Sequence, residues 1–211
     1  MTLPNNHKVG LLVIDLQQNG YLSDDQRGIP LMEEYEKVVE RSASLVQLAR
    51  NFEIPVIFTQ EHHMDSLIDI GRELDGSEQA HCLQGDPTTR LADALEVGPS
   101  DLVVKKRRYS AFFGTDLEIL LKAFDLNTLI LIGALSDVCV HYTFVDAHQH
   151  NYHLFVVRDC VIGSSPKAQE SALNAMTYLQ RDSVIEHNQA RKIITTAGKS
   201  QSQRSRETVP G

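Results

Sequence analysis

Tryptophan is missing from this 211-residue chain, cysteine occurs only three times, and basic residues (20) are outnumbered by acidic ones (28). The resulting net charge of −8 leaves no basic footprint for nucleic acid. There is no apolar run of the ~18 residues that a membrane helix requires, so no membrane association is expected. The three thiols, Cys82, Cys139 and Cys160, are odd in number and far apart. That pattern excludes a disulfide framework and the paired spacing of a zinc site, and the thiols read as reduced. The first eight residues lack the apolar region of a signal peptide, which predicts a cytoplasmic protein. No Gly-x-Gly-x-x-Gly follows any apolar run, which removes the usual phosphate cradle of a nucleotide-binding module.

What is present suits one compact domain: 42% of residues are hydrophobic and 23% charged. The expected domain spans residues 1–195. A loose tail is expected over 196–211, where Ser, Gln, Arg and Lys take over. Val9 to Ile14 is a short, branched, wholly apolar run, Asn127 to Ile132 becomes continuously apolar from Leu129, and both read as buried central strands. Ile54 to Thr59, Asp101 to Lys105, His153 to Val157 and Ser183 to Ile185 supply four more. Helical spacing recurs from Leu31 to about Asn51, up to Phe124, over Val140 to His150 and over Pro166 to Gln180. Strands that alternate with helices predict an α/β fold with an open parallel sheet covered on both faces. Between Gln60 and Ser100 lies a long polar excursion whose one helical signal is Pro87 to Leu95, opened by Asp86. Connections of that length usually serve a site.

The sharpest feature is the passage from the apolar run ending at Gly133, through Ala134-Leu135-Ser136-Asp137-Val138, into the helix that carries Cys139. A thiol in the first turn of a helix at the carboxyl edge of a parallel sheet is a candidate nucleophile, and the helix end favours its thiolate. Asp15 and Lys106 are placed at the same edge by the strands that precede them. Together the three offer a nucleophile, a carboxylate to accept and return its proton, and a cation to hold both charges, which is what amide hydrolysis needs.

Ile14-Asp15-Leu16-Gln17, Lys106-Arg107-Arg108-Tyr109-Ser110-Ala111-Phe112 and Gly133-Ala134-Leu135-Ser136-Asp137-Val138-Cys139-Val140 resemble, in order, three signature segments of the isochorismatase-like cysteine hydrolases. The similarity runs from about Lys8 to Gln180. It implies a three-layer fold with six parallel strands in the order 3-2-1-4-5-6. It also implies that Asp15 is general base, Lys106 the triad lysine and Cys139 the nucleophile, with a cis peptide at Ala134-Leu135. An oxyanion hole of the Leu135 and Cys139 amides and substrate lining by Gln17, Tyr109 and Phe112 belong to the same expectation. A cysteine in this family points to a carboxamide or ureido C–N bond cleaved through a thioester, and the family's habit is a homodimer or homotetramer. Ser136 stands where the family pattern usually has Thr, and Leu135 where a smaller residue is common.

Glu61, His63 and His81 are similar in position to the metal ligands of nicotinamidases, with Glu in place of Asp. They read as substrate lining or as bracing, with no cofactor expected and a divalent metal as the other option. The alternatives for the whole chain are accordingly a metal-assisted amidase of the nicotinamidase type and a non-catalytic flavodoxin-like binding module. His141, His148, His150 and His153 read as surface or capped histidines, with a Cys139–His141 pair as a minor rival to the aspartate. Arg107 and Arg108 are either solvated or steer a substrate carboxylate.

Overall fold

The computed structural model describes residues 7–207. Six strands, β1 (Val9–Ile14), β2 (Val56–Glu61), β3 (Leu102–Lys106), β4 (Thr128–Ala134), β5 (His153–Ile162) and β6 (Val184–Ile185), form one sheet in the order β3-β2-β1-β4-β5-β6. All five pairings are parallel. The helices are α1 (Asp24–Arg27), α2 (Tyr35–Asn51), α3 (Leu117–Ala123), α4 (Cys139–Gln149), α5 (Pro166–Leu179) and α6 (His187–Glu207).

Alternate strand residues feed two separate cores, as the two-residue period of a strand requires. Val9, Leu11 and Val13 of β1, with Ile130 and Ile132 of β4, pack against α2 and α6. Leu12 and Ile14, with Leu129 and Leu131, pack against α3, α4 and α5. Because both faces are covered, β1 and β4 are apolar at almost every position and buried throughout. The order reverses at β1, which has β2 on one side and β4 on the other. The crevice beyond the carboxyl ends at such a reversal is where open α/β sheets place ligands. Gly133 makes the close approach there possible, since a Cβ on it would lie 1.9 Å from the carbonyl oxygen of Ile14.

Four boundaries depart most from the sequence reading, the others by one or two residues. β5 continues five residues past Val157 because a bulge opposite Leu131 and Gly133 accommodates the polar Arg158-Asp159, after which the apolar Cys160–Ile162 rejoin β4. The helix expected over Pro87 to Leu95 is two 3₁₀ turns, Pro87–Thr89 and Asp93–Leu95, because Leu91 between them is drawn into an antiparallel bridge with Gln17. α2 starts at Tyr35, not Leu31, after a left-handed Glu34. The tail expected from residue 196 is helical as far as Glu207: Ala197 is buried in the core and Gly198 abuts Phe52. Residues 208–211 of that expected tail lie outside the described ones.

Candidate active site

Strand register builds the site before any side chain is considered. Ile14 pairs with Thr59 on one side and Gly133 on the other, so Asp15, the next residue, emerges between the ends of β2 and β4. Glu61 and Lys106 are register partners at the ends of β2 and β3. Residues 135–138 turn the chain out of β4, and Cys139 is the first residue of α4.

The Lys106 ammonium sits at the centre, fully buried at 0% exposure. Its Nζ lies 2.7 Å from Asp15 Oδ2, 2.8 Å from Glu61 Oε2 and 3.3 Å from Cys139 Sγ. The Cys139 thiol also faces Glu61 Oε2 at 3.4 Å. One carboxylate oxygen each from Asp15 and Glu61, and the sulfur, all lie within 4.8 Å of one another. Thr59 Oγ1 donates to Asp15 Oδ1 at 2.7 Å, which fixes that carboxylate and leaves Oδ2 toward the ammonium.

Burial and charge then separate the titratable groups. Burial raises the Asp15 carboxyl above its ordinary range, more than Lys106 can offset, and Glu61 adds to the rise. For Glu61 burial pushes the same way, but Lys106, His63 and His81 overcome it and hold that carboxyl well below the usual range. Lys106 resists its own burial because Asp15, Cys139 and Glu61 surround it, and it stays charged. Burial lifts the Cys139 thiol well above the ordinary cysteine range; Lys106 opposes this, while Glu61 and Asp15 reinforce it. The pull of the helix end toward thiolate is thus opposed by lost hydration and by two carboxylates. Iodoacetamide labelling of Cys139, followed by peptide mass spectrometry, should accordingly climb about tenfold per pH unit above neutrality and continue past pH 9. A plateau near neutral pH would contradict this electrostatic account.

Around the thiol, the amides of Ser136, Val138 and Val140 bond to the carbonyls of Ile162, Leu135 and Leu135. The amides of Leu135 and Cys139 have no such acceptor among the turns and caps of the described residues. The Ala134-Leu135 peptide is cis.

Glu61 is nearer the centre than a lining residue: it touches the ammonium, the thiol and both histidines. His81 Nε2 lies 2.6 Å from Glu61 Oε1, and its Nδ1 lies 2.6 Å from the carbonyl oxygen of Gln79. Two acceptors require both nitrogens to carry protons. His63 Nε2 sits 3.4 Å from Glu61 Oε1 and 3.1 Å from Glu73 Oε2. Burial lowers its pKa, but the two carboxylates prevail and raise it to about 9. Glu73, buried in the long excursion, was not identifiable from sequence, because nothing in Arg72-Glu73-Leu74-Asp75 marks it off from a solvated turn.

The lining expected from sequence is partly corrected. Tyr109 lines the cavity beside Cys139, with Glu61, His81, Leu135 and Gln17. The Gln17 amide is taken up by the chain itself: it donates to the Glu61 and Thr89 carbonyls and accepts from the Glu61 amide. Phe112 does not line that cavity; its ring stacks on His150 and packs into the core beside α3 and α4. Arg107 is held by Asp69 and the His62 carbonyl, and Arg108 by the Asp69 and Arg107 carbonyls, so neither guanidinium faces the thiol. His141 makes no bond to Cys139 among the described residues.

Comparison with known proteins gives one consistent result. Residues 9–189 match the Isochorismatase domain family. Maleamate amidohydrolase of Pseudomonas putida is 31% identical over 160 residues, which cover 73% of this chain and 72% of that protein. Ureidoacrylate amidohydrolase RutB of Methylorubrum extorquens is 30% identical over 185 residues, covering 77% and 73%. Among solved structures, an isochorismatase family protein from Burkholderia thailandensis superposes with a TM-score of 0.75 at 28% identity, covering 92% of this chain and 97% of its own. A pyrazinamidase/nicotinamidase from Streptococcus mutans gives 0.73 at 26% identity, covering 84% and 99%.

Proposed function

This chain belongs to the isochorismatase family, and within it we propose a cysteine-dependent amidohydrolase that cleaves a C–N bond of a small carboxamide or ureido compound through a thioester. The observation that carries this reading is the thiol held within 4.8 Å of two carboxylate oxygens around one buried ammonium. Asp15, whose burial raises the proton affinity of its carboxylate, takes the thiol proton as Sγ attacks the carbonyl carbon. The Leu135 and Cys139 amides receive the resulting oxyanion. Asp15 hands its proton to the departing nitrogen, which leaves as ammonia or an amine. Asp15 then deprotonates water, which attacks the thioester and expels the sulfur; the acid leaves, and Asp15 returns the proton to the sulfur. Lys106 stays charged throughout and balances whichever of sulfur and carboxylate is anionic.

Acid quenching during turnover of a panel of amides and ureido compounds, with ammonia release as readout, tests this. Intact mass should show an acyl adduct on the Cys139 peptide, and alkylation of Cys139 should stop ammonia release. Turnover that survives complete alkylation would overturn the mechanism.

A second reading is favoured by Glu73 and His63, whose buried side-chain oxygens and nitrogens lack a well-aligned hydrogen-bond partner. Glu61, His63, Glu73 and His81 can bring four ligand atoms within 4.8 Å, a nitrogen and oxygen set that suits a divalent cation. When bound, such an ion would act as a Lewis acid on a substrate heteroatom. Against this, Lys106, His63 and His81 already set positive charge against the carboxylates of this cluster. On the metal-free reading, elemental analysis finds no stoichiometric metal, and dialysis against a chelator leaves turnover unchanged.

A further inference from the structure

The cavity at Cys139 continues outward into a second one, bounded by Pro30, Arg72, Ser77 and Ser164. Glu78, Tyr109, Leu135 and Val138 line both, so they form the passage between them. Glu78 is the ionisable group of that passage with capacity to spare. Its Oε2 accepts a hydrogen bond from the Tyr109 hydroxyl at 3.0 Å. The Tyr109 ring is in turn held edge-on by Tyr142, with centroids 5.3 Å apart. The Glu78 carboxylate is thus set in place rather than swinging in solvent.

We propose that Glu78 makes this site selective for amides whose far end is neutral and donates a hydrogen bond, such as a second primary amide or a ureido NH₂, and against amides whose far end is a carboxylate. The inference rests on the amidohydrolase reading above and adds the substrate class. The acidic groups in the wall of the inner cavity are Asp15, Glu61 and Glu78, set among mostly apolar residues. The cations that could answer a substrate carboxylate are all engaged. Lys106 faces Asp15, Glu61 and the thiol. Both nitrogens of His81 are bonded to oxygens. Arg107 and Arg108 are tied to the Asp69 loop. The Arg72 side chain, in the outer wall, is 93% exposed and paired with Asp75, so solvent screens it. A carboxylate entering the passage would lose its hydration beside a like charge and meet no unengaged cation in return. An NH₂ group there would donate to Glu78.

Succinamide and succinamate differ only in NH₂ against O⁻ at the far end, and the test compares them at pH 8. Wild-type kcat/KM for ammonia release should favour succinamide by about 100-fold or more, as expected where a buried polar group is left facing the wrong partner. Glu78→Gln, whose amide can donate to a carboxylate, should shrink the ratio below about tenfold, mainly through KM for succinamate. Thermal unfolding checks the fold of that variant, and Glu78→Ala, which removes the charge without a new donor, should also shrink the ratio. Calorimetry on Cys139→Ser reads selectivity without turnover, and succinamide should bind at least tenfold tighter than succinamate. A wild-type ratio near one, or a preference for succinamate, overturns the proposal and leaves the amidohydrolase reading intact. A ratio unchanged by both Glu78 variants overturns the role of Glu78. Selective binding to Cys139→Ser without hydrolysis by wild type counts against the amidohydrolase reading alone. Failure of both compounds to bind overturns the proposed class.

Discussion

Replacing Lys106 with methionine is expected to remove detectable turnover and to lower stability by about 3–5 kcal/mol, the cost of leaving buried charges unpaired. The side chain is enclosed on every side, and its ammonium is the shared partner of Asp15 and Glu61. Without it, two buried carboxylates face each other within 4.8 Å. One of them must then take up a proton, and Glu61 loses its main support against burial. For a chain of this size the melting temperature, followed by circular dichroism at pH 7, should fall by roughly 10 °C. The gap to wild type should narrow as pH is lowered, because protonation neutralises the carboxylates that cause the penalty. Arginine is not expected to rescue either property, since a planar guanidinium cannot occupy the space of a compact ammonium. A variant as stable as wild type would show that the ammonium is not the electrostatic keystone described above.

The architecture was legible where one rule dominates. β1 and β4 are apolar at almost every position because both faces of the sheet are covered, and that burial is written directly into residues 9–14 and 129–134. Once the strands are placed, parallel pairing brings Asp15, Lys106 and Cys139 to one edge, and these were readable for the same reason. Features that depend on tertiary partners were not. β5 outlasts its apolar run because a bulge absorbs Arg158 and Asp159. The helix α6 runs past residue 196 because its inner side meets the core at Ala197, although its composition is polar. Glu73 and Glu78 lie in an excursion without periodicity, where a buried acid and a solvated one look alike in sequence. What opposes the thiolate at Cys139 is hidden for a related reason: the helix terminus is visible in the chain, whereas the carboxylate of Glu61 beside the sulfur becomes visible only when β2 and β3 are in register.

That second carboxylate raises the question of which acid moves the proton, and substitution separates them. Asp15→Asn should lower kcat by about 10²–10⁴, the range of general acid–base catalysis, with the fold retained. Asparagine keeps an oxygen to accept from Thr59, so the side chain keeps its place while losing its basicity. Glu61→Gln should cost less in kcat, because Lys106, His63 and His81 hold that carboxyl so far into its ionised range that it is a poor proton acceptor at any working pH. Glu61 is by this argument a positioning residue. Labelling by iodoacetamide distinguishes that role from damage to the nucleophile. Each substitution removes a negative neighbour from the sulfur, so both should leave Cys139 more thiolate-rich and faster to alkylate than wild type at the same pH. A thiol that reacts faster while its enzyme turns over hundreds of times more slowly has lost a proton carrier, not its own nucleophilicity. If Glu61→Gln shows the larger loss of turnover under faster labelling, the proton passes through Glu61, to which the resting thiol already donates at 3.4 Å, and Asp15 only anchors the ammonium.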